Sequence, residues 1–455
     1  MTDAPGTQRV ESALREATDT RAVMIGENVL ASVPALFHRV FGDRTAVVVA
    51  DENTTRAAGE IVQQRFDAAG RDRRDPFVFP GRPALHAEYG NIERLSGWLR
   101  EHDAIPVAVG SGTLNDIVKR AAHECGRGYL NVATAASVDG YTAFGASITK
   151  DGFKKTMECR APTAVLADLG VLVAAPAKMT SAGYADLLAK IPAGADWIVA
   201  DALDVEPIDP RVWSLVQDPL REATGRPAQL HAGDRSAMEA LIEGLIMSGL
   251  AMQAASSSRP ASGAEHQFSH LWEMEGLGEE PQGDEPPLSH GFKVGLGTVA
   301  IAALYERLLA RDLTGLDVDG VARRWPSWER AEQRIQASFG PELADRAVQE
   351  SRPKHLDAGL LRERLELLRE RWPELRERLR RQLLSAEQLR EQLREAGCPT
   401  TPGQIGLSDA RLKETYRRAQ MIRPRYTVLD LLNETGLLEE CVEELFAAGG
   451  FWTRS

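Results

Sequence analysis

The feature that most constrains the fold is an alternation of short β-branched runs with segments of helical period, within the first 175 residues. The runs are AVVVA at 46–50, PFVF at 76–79, IPVAVG at 105–110, YLNVAT at 129–134 and AVLADLGVLVAA at 164–175. Segments of helical period follow the first three, such as TTRAAGEIVQQRFDAAG, which ends at Gly70. Parallel strands need crossover helices of this kind, so the alternation predicts an α/β domain built on a parallel sheet.

The pattern changes near residue 176. Three long segments beyond it, at 180–203, 236–258 and 292–312, have only the helical period, with apolar residues three and four apart. A second, all-helical domain is the simplest explanation. We therefore predict an α/β domain over residues 1–176 and an all-α domain over residues 177–455.

Two segments of the second domain have unusual composition. Residues 355–396 alternate Arg and Glu around a stripe of leucines. We expect an amphipathic helical hairpin, broken at Trp372-Pro373 and packed on its own domain, because proline interrupts helices. A coiled-coil surface for a partner is the alternative. The Gly-, Pro- and acid-rich stretch 276–287 cannot continue a helix and is predicted to be a loop.

Charge and cysteine content exclude several classes of protein. The net charge of −12 argues against general binding to nucleic acids or anionic membranes, because phosphate groups need a basic face. No apolar stretch approaches the roughly 20 residues of a membrane span, and residues 1–21 do not resemble a secretory signal. The four cysteines lie far apart, which argues against disulfides and cysteine-metal sites, so we expect a reducing, cytoplasmic location.

A turn rich in glycine follows the run at 105–110. It reads Gly110-Ser111-Gly112-Thr113, and a helical segment begins at once. Glycines let backbone amides approach an anion, and helix N-termini carry partial positive charge, so the turn is a candidate nucleotide-phosphate site. Asn115 replaces the third glycine of the G-x-G-x-x-G fingerprint, and a tight strand-to-helix connection is the alternative. Asp51, after an earlier strand, could bond a ribose hydroxyl or cap a helix.

Three histidines lie in two neighbouring segments. His266 and His270, in SGAEHQFSHLWEM, are four residues apart and would share one face of a helix. His290 precedes a glycine that opens another helix, and Asp186 lies upstream within an apolar helical segment, where a carboxylate needs a partner. One carboxylate and two imidazoles would leave a metal ion with open positions for catalysis. Ordinary hydrogen-bonded histidines at a loop edge are the alternative.

The segment Thr134-Ala135-Ala136-Ser137-Val138-Asp139-Gly140 follows a strand of the predicted sheet. Its small and hydroxyl-bearing residues would let a ligand lie close to the backbone, and Asp139 could bond hydroxyl groups of a substrate. A capped turn explains these residues equally well.

The order of these motifs is that of a known family. The segments GSGTLND, TAASVDGYTAF, SAGYADLLAK, SGAEHQFSH and SHGFKVGLGT, in this order, resemble the AraM-type glycerol-1-phosphate dehydrogenases. That family shares a superfamily with glycerol dehydrogenase, iron-type alcohol dehydrogenases and 3-dehydroquinate synthase. The resemblance runs from about residue 20 to about residue 330 and more loosely to about residue 440.

The resemblance implies a dehydroquinate synthase-like fold, with an α/β nucleotide-binding N-terminal domain, a helical C-terminal domain and an active site in the cleft between them. Asp186, His266 and His290 match the metal ligands, and the metal would be zinc, or nickel as in some bacterial relatives. The residues assigned to the cofactor are Asp51, Gly110, Ser111, Gly112, Thr113, Asp116, Thr134 and Ser137. Asp139 matches the aspartate that touches substrate hydroxyls, and His270 matches a histidine on the substrate side of the metal.

Three positions differ from other members of the superfamily. Lys190 stands where the iron-type alcohol dehydrogenases have a second histidine, four residues after the metal-binding aspartate, as expected for the three-ligand branch. Ala133-Thr134 and Ala185-Asp186 replace the usual Pro-Thr and Gly-Asp. A shifted backbone at either of these last two sites would alter the fit of the substrate.

The activity implied is the NAD(P)H-dependent reduction of dihydroxyacetone phosphate to sn-glycerol 1-phosphate, or of a closely related phosphorylated ketone. The metal would polarise the ketone, His270 or a metal-held water would pass the proton, and Asp139 would hold a hydroxyl group. Lys155 and Lys293 are the candidate phosphate ligands, and Asp51 favours NAD over NADP. A cyclase like 3-dehydroquinate synthase and a non-catalytic binding module are the alternatives. A homodimer is expected from the family.

Overall fold

The computed structural model describes residues 5–150, 153–278 and 287–454. The strands are β1 (Ala22–Gly26), β2 (Thr45–Asp51), β3 (Phe77–Phe79), β4 (Ala104–Gly110), β5 (Leu130–Ala133), β6 (Ala146–Lys150), β7 (Phe153–Met157) and β8 (Ala164–Asp168). The helices are α1 (Pro5–Glu16), α2 (Val33–Phe41), α3 (Glu52–Thr54), α4 (Glu60–Ala68), α5 (Tyr89–Glu101), α6 (Gly112–Glu124), α7 (Leu169–Val173), α8 (Ala177–Leu188), α9 (Lys190–Ala202), α10 (Pro210–Thr224), α11 (Pro227–His231), α12 (Arg235–Ala255), α13 (Ala264–Met274), α14 (His290–Leu309), α15 (Val318–Arg324), α16 (Trp328–Ser338), α17 (Pro341–Ser351), α18 (Ala358–Gln382), α19 (Ala386–Glu395), α20 (Asp409–Arg418), α21 (Val428–Thr435) and α22 (Leu438–Phe446). A π-helical turn (Thr55–Gly59) joins α3 to α4, and 3-10 helices lie at Val29–Ser32, Leu313–Gly315, Arg352–Lys354, Pro402–Ile405 and Ala419–Ile422.

Six strands form one parallel sheet, in the order β1-β8-β5-β4-β2-β3. Every residue of β4 is buried, as expected for a strand covered on both faces by helices. The chain moves from β2 to β3 on one side and then returns to place β4 on the other side of β2. The strand order therefore reverses between β2 and β4, and ligands of such sheets bind outside the carboxyl ends of the strands at this point.

The helices beyond residue 176 enclose the larger core. Side chains of α8, α12 and α14 pack with residues of β5 and β8, including Ala133, Val165 and Ala167. Helix α1 also belongs to this core, because Val10 and Ala13 are buried in it and Arg9 Nε lies 2.7 Å from Glu243 Oε1 on α12. The sheet and the helical layer thus meet along the strands that lead to the candidate site, while the division at residue 176 stays a prediction.

The predicted strands are present, with two additions and one correction. β1 and the antiparallel hairpin β6–β7 were not expected from the sequence. The run 164–175 is not one strand, because β8 ends at Asp168 and α7 follows. The Asp168 carboxylate accepts a hydrogen bond from the Gly170 amide at 3.0 Å, which caps the helix and ends the strand.

The prediction of a hairpin broken at Trp372-Pro373 is wrong. α18 continues through Pro373 to Gln382, packing on α9 and α15, whereas α19 packs on α14 and α8. The helix tolerates the missing proline amide because its leucine stripe is held on both sides of that position. The buried members are Leu361, Leu365, Leu368, Trp372, Leu375 and Leu379. The stripe is thus buried within this chain, as predicted, rather than exposed as a coiled-coil surface.

Two further predictions concern membrane spans and the stretch 276–287. In the described part of the chain, no helix has both the length and the apolar character needed to cross a membrane. Most of the predicted loop at 276–287 lies outside the described residues.

Candidate active site

The predicted metal ligands come together between three helices. Asp186 lies on α8, His266 on α13, and His290 is the first residue of α14. Their potential ligand atoms all lie within 4.8 Å of one another, and the rings of His266 and His290 are 5.5 Å apart. Asp186 and His266 are both buried. One carboxylate and two imidazoles suit a divalent transition metal and leave positions free for a substrate.

Two glycines make this convergence possible. A Cβ atom at Gly183 would lie 2.0 Å from the Ala136 carbonyl oxygen, so only glycine lets α8 touch the loop after β5. A Cβ atom at Gly291 would lie equally close to the carbonyl oxygen of Ala182, so only glycine lets the first turn of α14 touch α8. The convergence of Asp186, His266 and His290 therefore depends on two close backbone contacts.

A glutamate holds the outer nitrogen of each candidate imidazole ligand. Glu265 Oε1 lies 2.8 Å from His266 Nδ1, and Glu273 Oε1 lies 2.8 Å from His290 Nδ1. This leaves the Nε2 atom of each ring for a metal, and carboxylates in this position fix the ring and make it more basic. The donor set thus fits a metal centre with its supporting shell. Neither glutamate was predicted from the sequence, although each lies within one helical turn of a predicted histidine.

Lys190 joins the two aspartates of the site. Its Nζ atom is fully buried and lies 2.9 Å from Asp186 Oδ1 and 2.9 Å from Asp139 Oδ2. The Asp139 amide donates to Asp186 Oδ2 at 3.1 Å, and Ser248 Oγ donates to Asp139 Oδ2 at 3.0 Å. Burial alone would raise the pKa of Asp186, but the charge of Lys190 and the contact with His266 hold it well below its usual range. From the sequence, Lys190 was interpreted only as the replacement of a histidine, and its two ion pairs were not predicted.

His270 lies one turn beyond His266 on α13. Its ring is 5.6 Å from that of His290, and its Nδ1 atom lies 3.4 Å from Glu273 Oε2. Burial lowers the pKa of His270 to about 3, so this imidazole is neutral at pH 7. His270, Glu273 and His290 form a second group whose ligand atoms lie within 4.8 Å of one another. The two candidate groups share His290.

The glycine turn lies at the reversal point of the sheet. Strand pairing sets Val49 of β2 opposite Ala108 of β4, which brings Asp51 level with Gly110. Ser111, the N-cap of α6, makes no side-chain capping bond, so the first amides of the helix remain available to an anion. A Cβ atom at Gly110 would lie 2.5 Å from Leu114 Cδ2, so this glycine also serves the tight connection.

Asp51 caps the helix that follows it. Its Oδ1 atom accepts hydrogen bonds from the amides of Asn53 and Thr54 at 2.7 and 2.8 Å, and Thr54 Oγ1 accepts from the Asp51 amide at 3.0 Å. The capping role is therefore present in the structure, whereas contact with a ribose stays a prediction.

Other cofactor candidates have structural partners. Asp116 Oδ2 accepts from the Ser147 amide on β6 at 3.1 Å. The Thr134 amide donates to the Gly110 carbonyl at 3.2 Å, which joins the loops after β4 and β5. Ser137 Oγ lies 3.3 Å from the Tyr141 hydroxyl. Thr134 thus lies beside the glycine turn, Ser137 bonds within its own loop, and Asp116 holds the hairpin.

The two candidate phosphate lysines lie in different surroundings. Lys155 is exposed on β7, opposite Ile148 of the hairpin. Lys293 is buried on α14, one turn beyond His290. Their roles in binding a phosphate stay predictions.

Glu273 offers a direct test of the supporting shell. Replacing Glu273 with glutamine is expected to weaken metal binding by about 10- to 100-fold, because the neutral amide no longer raises the basicity of His290. Competition with a chromophoric chelator would measure this affinity. Glu366→Gln, at an exposed position on α18, is the matched control. Equal affinities in both variants would contradict the assigned role of Glu273.

Known proteins resemble this chain over most of its length. A family model described as iron-containing alcohol dehydrogenase matches residues 24–176. A glycerol-1-phosphate dehydrogenase (NAD(P)+) of Halalkalibacterium halodurans is 32% identical over 414 residues, covering 90% of this chain and 92% of the relative. Another, of Bacillus velezensis, is 35% identical over 66% of this chain and 76% of its own length. The crystal structure of a probable glycerol dehydrogenase from Sinorhizobium meliloti 1021 has a TM-score of 0.59 at 18% identity, covering 94% of this chain and 98% of that chain.

The two kinds of match answer different questions. The structural likeness confirms the predicted fold class, an α/β domain with a parallel sheet followed by a helical region, as in glycerol dehydrogenase. The sequence likeness extends over nine-tenths of both chains and confirms the resemblance carried by the five motifs. The chain belongs to the glycerol-1-phosphate dehydrogenase family.

Proposed function

We propose that this protein reduces dihydroxyacetone phosphate to sn-glycerol 1-phosphate with NAD(P)H. The observation that carries the proposal is the meeting of Asp186, His266 and His290 beside the loop that follows β5. Its relatives, named for glycerol-1-phosphate dehydrogenase activity with NAD(P)+, support the same reaction. They favour it over a cyclase or a non-catalytic module.

The nucleotide would bind at the reversal point of the sheet. The free first-turn amides of α6 and the glycines before it suit a pyrophosphate, and Thr134 and Ser137 line the adjacent loop. The carboxylate of Asp51 would repel the 2′-phosphate of NADP, so we propose a preference for NAD.

A divalent metal would be held by Asp186, His266 and His290, and we propose zinc, with nickel as the alternative. When bound, such an ion polarises a carbonyl group as a Lewis acid. Lys190 and Ser248 hold the Asp139 carboxylate in one orientation, from which it accepts a hydrogen bond from a substrate hydroxyl. His270 is neutral at pH 7 and its Nδ1 atom lies 3.4 Å from Glu273 Oε2; we propose that this imidazole passes a proton from solvent to the substrate oxygen that becomes the hydroxyl group.

The remaining expectations come from the sequence and the family. The described cysteines are all free thiols, which agrees with the cytoplasmic location that we propose. We also propose a homodimer that acts on a small phosphorylated ketone.

The test is NADH oxidation by protein reconstituted with zinc, followed by near-ultraviolet absorbance. Dihydroxyacetone phosphate and unphosphorylated dihydroxyacetone are compared as substrates. We expect reduction of the phosphate ester, its loss on chelation and its return when zinc is restored. NADH binding without reduction of the phosphate ester would overturn the assigned substrate and direct attention to larger phosphorylated ketones.

A further inference from the structure

The C-terminal segment that follows α20 runs antiparallel along α13. Trp272 Nε1 donates to Thr415 Oγ1 at 2.8 Å, near the C-terminal end of α13. Gln267 Nε2 donates to the Arg425 carbonyl at 3.2 Å, nearer its N-terminal end. The 3-10 helix Ala419–Ile422 packs against α13 between these two points. Arg423 therefore lies along the part of α13 that bears His270, which follows Gln267 by one helical turn.

Arg423 differs from the neighbouring arginines in its contacts. Arg418 lies 2.6 Å from Glu275 Oε1, and the Arg425 guanidinium donates to the Ser262 carbonyl at 2.8 Å. The side chain of Arg423 makes no hydrogen bond or ion pair with any residue of the described ranges, although it is half-buried. A guanidinium that is partly removed from water without an acceptor is unfavourable until an anion binds to it.

The charge of Arg423 also acts on two groups beside the candidate metal ligands. Burial is the main cause that lowers the pKa of His270, and the charge of Arg423 lowers it further. Burial also lowers the pKa of Arg423, and the positive charge of Arg346 adds to the effect. Glu350 and Glu273 oppose this shift. Arg423 is thus within electrostatic reach of both His270 and Glu273.

We infer that Arg423 binds the phosphate group of the substrate, on the side of the candidate metal ligands where His270 lies. This inference rests on the proposed function. The planar guanidinium fork offers two parallel N–H donors to two phosphate oxygens, a geometry that neither Lys155 nor Lys293 provides. Selection of a phosphorylated ketone would then come from a residue of the C-terminal segment, rather than from the sheet domain or α14.

The experiment compares Arg423→Gln with Arg423→Lys and the wild type, all loaded with zinc. We expect Arg423→Gln to raise KM for dihydroxyacetone phosphate by about 10- to 100-fold, as expected for lost charged hydrogen bonds. Inhibition by inorganic phosphate should weaken by a similar factor, and Arg423→Lys should recover part of both. NADH affinity, metal content and the thermal midpoint should stay at wild-type values. Arg324→Gln, an exposed arginine on α15, is the matched control.

Two outcomes would overturn the inference. One is an unchanged KM with unchanged phosphate inhibition in Arg423→Gln, and the other is a parallel loss of metal or NADH binding, which would indicate a structural role. If the wild type fails to reduce dihydroxyacetone phosphate, the proposed function fails instead. Calorimetric titration with inorganic phosphate then still tests Arg423, because it needs no turnover.

Discussion

The Asp186→Asn variant should bind zinc at least about 100-fold more weakly than the wild type, with a matching fall in kcat/KM for dihydroxyacetone phosphate at limiting metal. Loss of an outer partner alone costs about 10- to 100-fold in metal affinity, and Asp186 is the only anionic member of its candidate ligand set. Competition with a chelator would give the affinity, and NADH oxidation would give kcat/KM. Asp218→Asn, at an exposed position on α10, is the control.

A second pair of variants separates the two candidate groups. His266 belongs only to the set with Asp186, whereas His270 belongs only to the set with Glu273. We expect His266→Ala to lose metal and His270→Ala to keep it while losing turnover. The opposite result would move the metal to the group formed by His270, Glu273 and His290. These variants also leave Lys190 with both of its carboxylates.

Most strands of the sheet could be predicted from the sequence, because the signal for each of them is local. The buried strands β2 and β4 are apolar runs followed directly by helical segments, so their pattern is local. β1 was missed because it is a short edge strand, half-buried over most of its length. The break at Pro373 was predicted wrongly because local propensity was overridden by the packing of leucines on both sides of the proline.

The candidate site shows the same division. The grouping of Asp186 with His266 and His290 followed from helical spacing and from the family motifs. The contacts of Glu265, Glu273 and Lys190 depend on how side chains point across neighbouring helices, which a linear pattern does not specify. Arg423 was missed because its position beside His270 results from the path of the chain after α20. The Arg423 side chain has no hydrogen-bond or ion-pair partner among the described residues, and only the folded structure shows this.

Lys190→Met should lower the free energy of unfolding of the metal-free protein by about 3–5 kcal/mol, the usual cost of removing one partner from a buried ion pair. The substitution keeps a similar volume but leaves the Asp139 and Asp186 carboxylates facing each other without a cation. Urea denaturation at pH 7 would measure the loss. Lys178→Met, an exposed lysine on α8, should have an effect within about 0.5 kcal/mol.

The dependence of this deficit on pH and on metal identifies its cause. Folding lowers the pKa of Asp186 from its ordinary 3.8, so its contribution is present above that value and is lost as the pH falls through the folded pKa. Folding raises the pKa of Lys190 from its ordinary 10.5, so its contribution is complete below that value and is lost at higher pH. The deficit should therefore be constant near neutral pH and shrink on acidification, because protonated carboxyl groups need no cation. Zinc at 100 times its dissociation constant adds about 2.7 kcal/mol to the free energy of unfolding of any variant that still binds it. A deficit that is the same at acid and neutral pH would point to lost packing instead.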